Sequence, residues 1–199
     1  MKKLILLSIL ILSATSIFGQ ANGFKDFAEF VQDEPSLTLN FQLKQRTEGN
    51  VFMTGGIENF RLLKITPKSD IDKVEQEIWG VTVDNVAYIN SYPYSKIKGY
   101  NQIIEKGFYS YFIGEPARFE TEQRKLGIIQ ETEKQIQVCC KVGYVILPNG
   151  TVKLLNPELL AELCKENSEL SVEIEVANLK LENVYEMFDF LKKYNATKK

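Results

Sequence analysis

Ile78 to Asn90 reads IWGVTVDNVAYIN. Two runs rich in Val, Ile, Trp and Tyr flank Asp84-Asn85. Asp and Asn tolerate the left-handed backbone that a two-residue turn demands, so the stretch predicts a tight antiparallel hairpin. Toward the N-terminus, Phe60 to Thr66 (FRLLKIT) reads as another strand, stopped by Pro67. Leu37, Leu39, Phe41 and Leu43 alternate with Thr38, Asn40, Gln42 and Lys44, the pattern of a half-buried strand. Val51 to Thr54 is extended, and Gly55-Gly56 breaks it. Lys68 to Gln76 is polar and predicts a loop or a brief helix. Phe24, Phe27, Phe30 and Val31 recur at helical spacing, and Pro35 ends that pattern.

Toward the C-terminus, Ser91 to Lys106 is rich in Tyr, Lys and Gly and predicts an irregular connection. Phe108 to Ile113 is a strand, Glu115 to Lys125 a charged surface loop, and Ile136 to Leu147 one long strand. Pro148-Asn149-Gly150 is a turn, from which Val152 to Leu155 returns. Asn156-Pro157-Glu158 starts a helix: a capping Asn, Pro at the first helical position, and an acid near the positive end. Leu159, Leu160, Leu163 and Cys164 form its apolar face. Leu170, Val172, Ile174 and Val176 alternate as in a strand, yet the segment lies between two helical patterns, and we read it as a helix. Val184, Met187, Phe188 and Leu191 define a terminal helix. Strands first and helices last predict an α+β fold, a largely antiparallel β-sheet with C-terminal helices packed on it. The sheet is expected over about residues 37–155 and the helical tail over 156–195, in a single domain of residues 20–199.

Residues 1–19 read as a signal peptide. Met1-Lys2-Lys3 is a short basic start, and Leu4 to Leu12 (LILLSILIL) is an apolar run far too short to span a bilayer. The protein is therefore expected to be exported, to the periplasm or beyond the cell. Cleavage after Gly19 would leave Gln20 first. Cleavage after Ala21 is the rival, because Gly19 and Ala21 then fill the two small-residue positions. No transmembrane segment follows. The chain is 44% hydrophobic and 25% charged, an ordinary globular composition. Its net charge is −2, and no basic face for nucleic acid emerges.

The 199 residues contain no histidine. Ser-His and Cys-His nucleophiles, HExxH zinc sites and imidazole acid–base chemistry are thereby excluded. No cofactor or metal motif is visible. Cys139 and Cys140 point to opposite faces of a strand, with Cys139 outward and Cys140 in the core. Cys140 and Cys164 are expected to be buried, either bridged or as two small hydrophobes.

The core Ile78 to Pro116 (IWGVTVDNVAYINSYPYSKIKGYNQIIEKGFYSYFIGEP) is similar to a recurring core of secreted Bacteroidota families of unknown function. These share a Trp-Gly hairpin with a short acidic turn, then Tyr-Ile-Asn, a Gly-Tyr loop and an aromatic strand. The leader ending in Phe18-Gly19-Gln20 and the tail with Asn156-Pro157-Glu158-Leu159-Leu160, Asn167-Ser168-Glu169-Leu170 and Lys193-Tyr194-Asn195 fit the same resemblance. It implies secretion and brings no activity with it. Family members often carry Gly in the hairpin turn where this chain has Asp84-Asn85, a difference of turn type alone.

Trp79, Tyr88, Tyr92, Tyr94, Tyr100, Tyr109 and Tyr111 crowd into a short span beside Asn90, Asn101 and Gln102. They either fill a sheet core with their hydroxyls at the edge, or offer faces on which sugar rings stack. The segment least explained by packing is Tyr92 to Tyr100 (YPYSKIKGY), because Pro93 and Gly99 keep it out of regular pairing. Tyr92, Tyr94 and Tyr100 give stiff contact area, and Lys96 and Lys98 make a basic strip on an acidic protein. A glycan or protein partner, anionic in either case, suits this strip; the competing account is that the tyrosines only cap the core. A non-catalytic binding or envelope-associated module is the expected function. The alternative is a glycan-processing enzyme working with paired carboxylates such as Glu173 and Glu175, or Glu120 and Glu122.

Overall fold

A computed structural model describes residues 20–45, 59–96, 98–114, 129–132, 135–138 and 142–198. Eleven strands appear among them: β1 (Gln20–Phe24), β2 (Leu37–Gln45), β3 (Phe60–Thr66), β4 (Gly80–Val83), β5 (Val86–Asn90), β6 (Tyr100–Glu105), β7 (Ser110–Gly114), β8 (Ile129–Thr132), β9 (Gln135–Val138), β10 (Val142–Ile146) and β11 (Val152–Leu154). The helices are α1 (Phe27–Gln32), the single turn α2 (Tyr92–Ser95), α3 (Pro157–Cys164), α4 (Ser168–Ala177) and α5 (Val184–Ala196). Every strand pairing is antiparallel, and the fold is α+β, as expected.

The hairpin around Asp84-Asn85 forms as read. Val83 faces Val86, and Asp84 and Asn85 have φ of 50° and 63°, the paired left-handed residues of a type I′ turn. The Trp-Gly pair before it has a steric reason. A Cβ on Gly80 would sit 2.5 Å from the Tyr88 carbonyl oxygen, so only glycine lets β4 approach β5 there.

The strands close on themselves. β1 lies between β2 and β4, β2 pairs with β3, β4 with β5 and β5 with β6, and β3 meets β6 at Phe60 and Tyr100. These six strands make a ring whose inside is filled by Ala21, Leu39, Phe41, Val81 and Tyr100, with Val74 and Ile78 from the adjoining turn. That turn, Lys68 to Glu77, is a 3-10 turn followed by a π-helical one. Beyond the ring, β6 pairs on with β7, β7 with β10 and β10 with β11.

This extension is covered on both faces. On one side Phe112, Val142, Tyr144 and Ile146 meet Ile89 and Ile103 of the ring and Phe24 and Phe30. On the other, Tyr111 and Val145 meet Leu160, Cys164, Leu170, Ile174, Met187, Phe188 and Leu191 of the three C-terminal helices.

Expectations at the N-terminal edge of the sheet and over residues 91–106 need correction. The sheet begins at Gln20, not near Leu37, because Ala21 and Gly23 are small enough for a strand inside the ring; the amphipathic helix follows only after Asp26 caps it by accepting from the Glu29 N–H. The stretch 91–106 is not irregular but supplies α2 and β6. Of the long strand expected from Ile136, the described parts are β9, paired to β8, and β10, in the main sheet, and residues 139–141 between them lie outside the described residues. Leu170 to Val176 is a helix, as read: Asn167 caps it, Leu170 and Ile174 are buried, and Val172 and Val176 are 60% and 79% exposed. The expected Val51–Thr54 strand, the Glu115–Lys125 loop, the leader, Cys139 and Cys140 lie outside the described residues. Cys164 is a free, buried thiol, and burial pushes its pKa up to about 11.

Candidate functional site

The segment Tyr92 to Tyr100 divides into anchors and exposed groups. Asn90 ends β5 fully buried; its Nδ2 donates to the Ile78 carbonyl, and its Oδ1 accepts from the Tyr92 N–H. That bond starts the turn α2. The Ser95 hydroxyl donates to the Ser91 carbonyl at 2.8 Å. Asn101, on β6, donates to the Ser91 hydroxyl oxygen and to the Tyr94 hydroxyl oxygen. Asn90, Ser91, Ser95 and Asn101 thus form a buried polar lattice beneath the turn. Asn90 and Asn101 were visible in the sequence as amides beside aromatics; Ser91 and Ser95 carried no signal that distinguishes them from solvated serines.

The three tyrosines have different fates. Tyr94 packs between Phe112 and Tyr144, with ring centroids 5.6 and 5.4 Å away. Tyr100 stands in β6 and not in a loop. It is 1% exposed, stacks on Phe41 inside the ring, and donates its hydroxyl to the Val74 carbonyl. Burial drives its pKa far above the ordinary tyrosine range. Tyr92 and Tyr94 are both half-buried, and Tyr92 lies beside the exposed Pro93 with no ring of the described residues packed on it as Phe112 and Tyr144 are on Tyr94.

Lys96 and Lys98 are exposed. The Lys96 ammonium lies 5.4 Å from the centre of the Tyr92 ring. Its backbone is left-handed, with φ of 59°, and its N–H donates to the Tyr92 carbonyl. Lys98 meets Glu75 at 2.7 Å, and that carboxylate raises the Lys98 pKa, holding the charge in place. Glu75 also lines a shallow groove of about 370 Å³ with Leu63, Lys64, Lys68 and Ile71, so the groove adjoins the segment.

Two further grooves are described. One of about 340 Å³ lies along β2 and β3 and holds Asp70; one of about 450 Å³ lies between α1 and the β4–β5 hairpin and holds Asp33, Asn85, Gln102 and Lys106. Each of the three grooves carries one carboxylate. The paired acids expected for hydrolysis are not brought together on α4: Glu173 and Glu175 are two apart on a helix, where side chains do not face one another, and Glu173 pairs with Lys193. Glu120 and Glu122 lie outside the described residues. Among the described residues no group of three or more Cys, Asp or Glu side chains is placed to hold a metal ion. No helix there is long and apolar enough to cross a membrane.

Fold and site together define a class: an antiparallel strand ring continued into a helix-covered sheet, with a basic-aromatic turn fixed to the outside of the ring. The chain belongs to a family of unknown function, DUF6563, whose model matches residues 22–198. No curated protein and no solved structure matches it.

Proposed function

We propose that the protein is an exported, non-catalytic binding or envelope-associated module, one domain in extent, that contacts an anionic partner through Tyr92, Lys96 and Lys98. The observation that carries this reading is the division of labour in the turn. Tyr94 and Tyr100 are spent as internal anchors, and the lattice of Asn90, Ser91, Ser95 and Asn101 fixes the backbone. What the anchored turn presents outward is an aromatic ring with a cation over it, next to a groove carrying Lys64 and Lys68. A rigid mount lowers the ordering cost of binding. Lys96 holds a left-handed conformation that glycine would adopt without strain, and such residues concentrate where a side chain is needed for function. Hydrolysis by paired acids asks for two carboxylates in one cleft, and each described groove offers one.

The test is retention on acidic supports. The mature protein should be held by an immobilised polyuronate or by polyglutamate, released by salt, and not held by a neutral glucan. The variant carrying Tyr92→Ala, Lys96→Glu and Lys98→Glu should lose that retention while unfolding at nearly the same denaturant concentration. Failure of the unmodified protein to bind either acidic support rejects the reading.

A further inference from the structure

Two bonds compete as the end of the leader, Gly19–Gln20 and Ala21–Asn22. Small residues at both signal-peptidase positions favour the second. The family match, which starts at Asn22, lies beside the same bond. The fold favours the first. Gln20 and Ala21 are residues of β1, where Gln20 pairs with Asn40 and Ala21 with Leu39. β1 is an internal strand, held by β2 on one side and β4 on the other. Ala21 has 0% exposure and belongs to the apolar filling of the ring with Leu39, Phe41 and Val81.

Resting on the export reading, we infer that the leader is removed between Gly19 and Gln20, and that Gln20 is the first residue of the mature protein. A cut after Ala21 would take away a buried side chain and two of the four residue pairs that join β1 to β2. Removing a buried apolar group and two of the strand pairs disfavours the fold. A cut after Gly19 keeps every described residue of the ring. The small-residue rule describes what the peptidase accepts, and both bonds satisfy it at the residue before the cut. The ring discriminates between the two products.

The experiment is intact-mass and N-terminal peptide analysis of the full chain after secretion by an export-competent bacterium. A mature protein beginning at Gln20 is expected as the dominant species. An open glutamine or its lactam, formed with loss of ammonia, counts equally. A dominant species beginning at Asn22 overturns this inference and leaves export standing. A product that retains residues 1–19 overturns the export reading itself, and this inference with it.

Discussion

The ring and the helical layer are built from opposite kinds of contact. The ring joins residues far apart in sequence: β1 meets β4 across Asn22 and Thr82, and closure rests on Phe60 facing Tyr100. Its interior holds seven buried side chains among the described residues, of which Tyr100 alone carries a hydroxyl. The helical layer is assembled from consecutive segments. Asn156 and Asn167 each cap the helix they precede, and the last helix is tied down by Asn195. Closure by a few positions makes the ring sensitive to single side chains, whereas the layer combines local helix caps with the long-range tie from Asn195 to Tyr109.

The largest expected effect breaks the ring. Replacing Tyr100 by Ala removes the Phe41 stack and the bond to Val74, and should cost about 3–5 kcal/mol in urea unfolding. Tyr100→Phe keeps the ring and leaves the Val74 carbonyl unpaired, which should cost about 1–3 kcal/mol. Tyr92→Ala, outside the ring, should cost less than about 1 kcal/mol. Equal losses for Tyr100→Ala and Tyr92→Ala would mean that closure at β6 does not hold the ring.

In the helical layer the sharpest handle is Asn195, 5% exposed on α5. Its Oδ1 accepts from the Tyr109 N–H at 2.8 Å, and its Nδ2 donates to the Tyr109 carbonyl at 2.9 Å. Asn195→Ala strands both backbone groups and should cost about 1–3 kcal/mol. Hydrogen exchange should rise at Tyr109 and its neighbours while the β1–β2 amides stay protected. A rise spread evenly over both regions would erase the distinction drawn here.

Alkaline pH probes both regions together. Burial raises the pKa of Tyr100 in the ring, and burial with the Glu105 bond raises that of Tyr111 under the helices. In the unfolded chain both ionise near pH 10. Above that pH the unfolded state gives up protons that the folded state keeps, so stability falls as pH rises. It is fully present below about pH 10. Each tyrosine contributes a slope of about 1.4 kcal/mol per pH unit. Tyr100→Phe and Tyr111→Phe should each flatten the decline between about pH 10 and 11 in denaturant titrations. An unchanged slope in both variants would place the ionising groups elsewhere.

What the sequence disclosed follows the same division. The β4–β5 hairpin, the turn at Gly150 and the cap at Asn156 are local events, written in Asp84-Asn85, in a glycine at φ of 83° and in an Asn before Pro. β1 and β6 were missed for a reason of topology. Gln20-Ala21-Asn22-Gly23-Phe24 has no alternation of large apolar residues because the ring needs small ones there. Tyr100-Asn101-Gln102 mixes a core tyrosine with a buried amide because β6 faces the ring on one side and the polar lattice on the other. The candidate segment was found by its composition. Which of its tyrosines turn inward depended on strand register, which composition does not carry.

The smallest expected effect tests the one segment whose pattern pointed two ways. Leu170, Val172, Ile174 and Val176 alternate as a strand does, yet form α4, with Leu170 and Ile174 inward. Val172 and Val176 then sit on the solvent side, where their branched side chains contribute little packing and restrict the helix. Replacing both by Ala should raise stability by about 0.5–1 kcal/mol, most of it at Val172, since Val176 is one residue from the helix end. In a strand the same change would lower stability, because β-branched residues favour the pleated surface and alanine does not. The sign of a small number therefore decides it: a gain confirms that capping and the buried Leu170–Ile174 face outweigh the alternation, and a loss would return the segment to the strand reading.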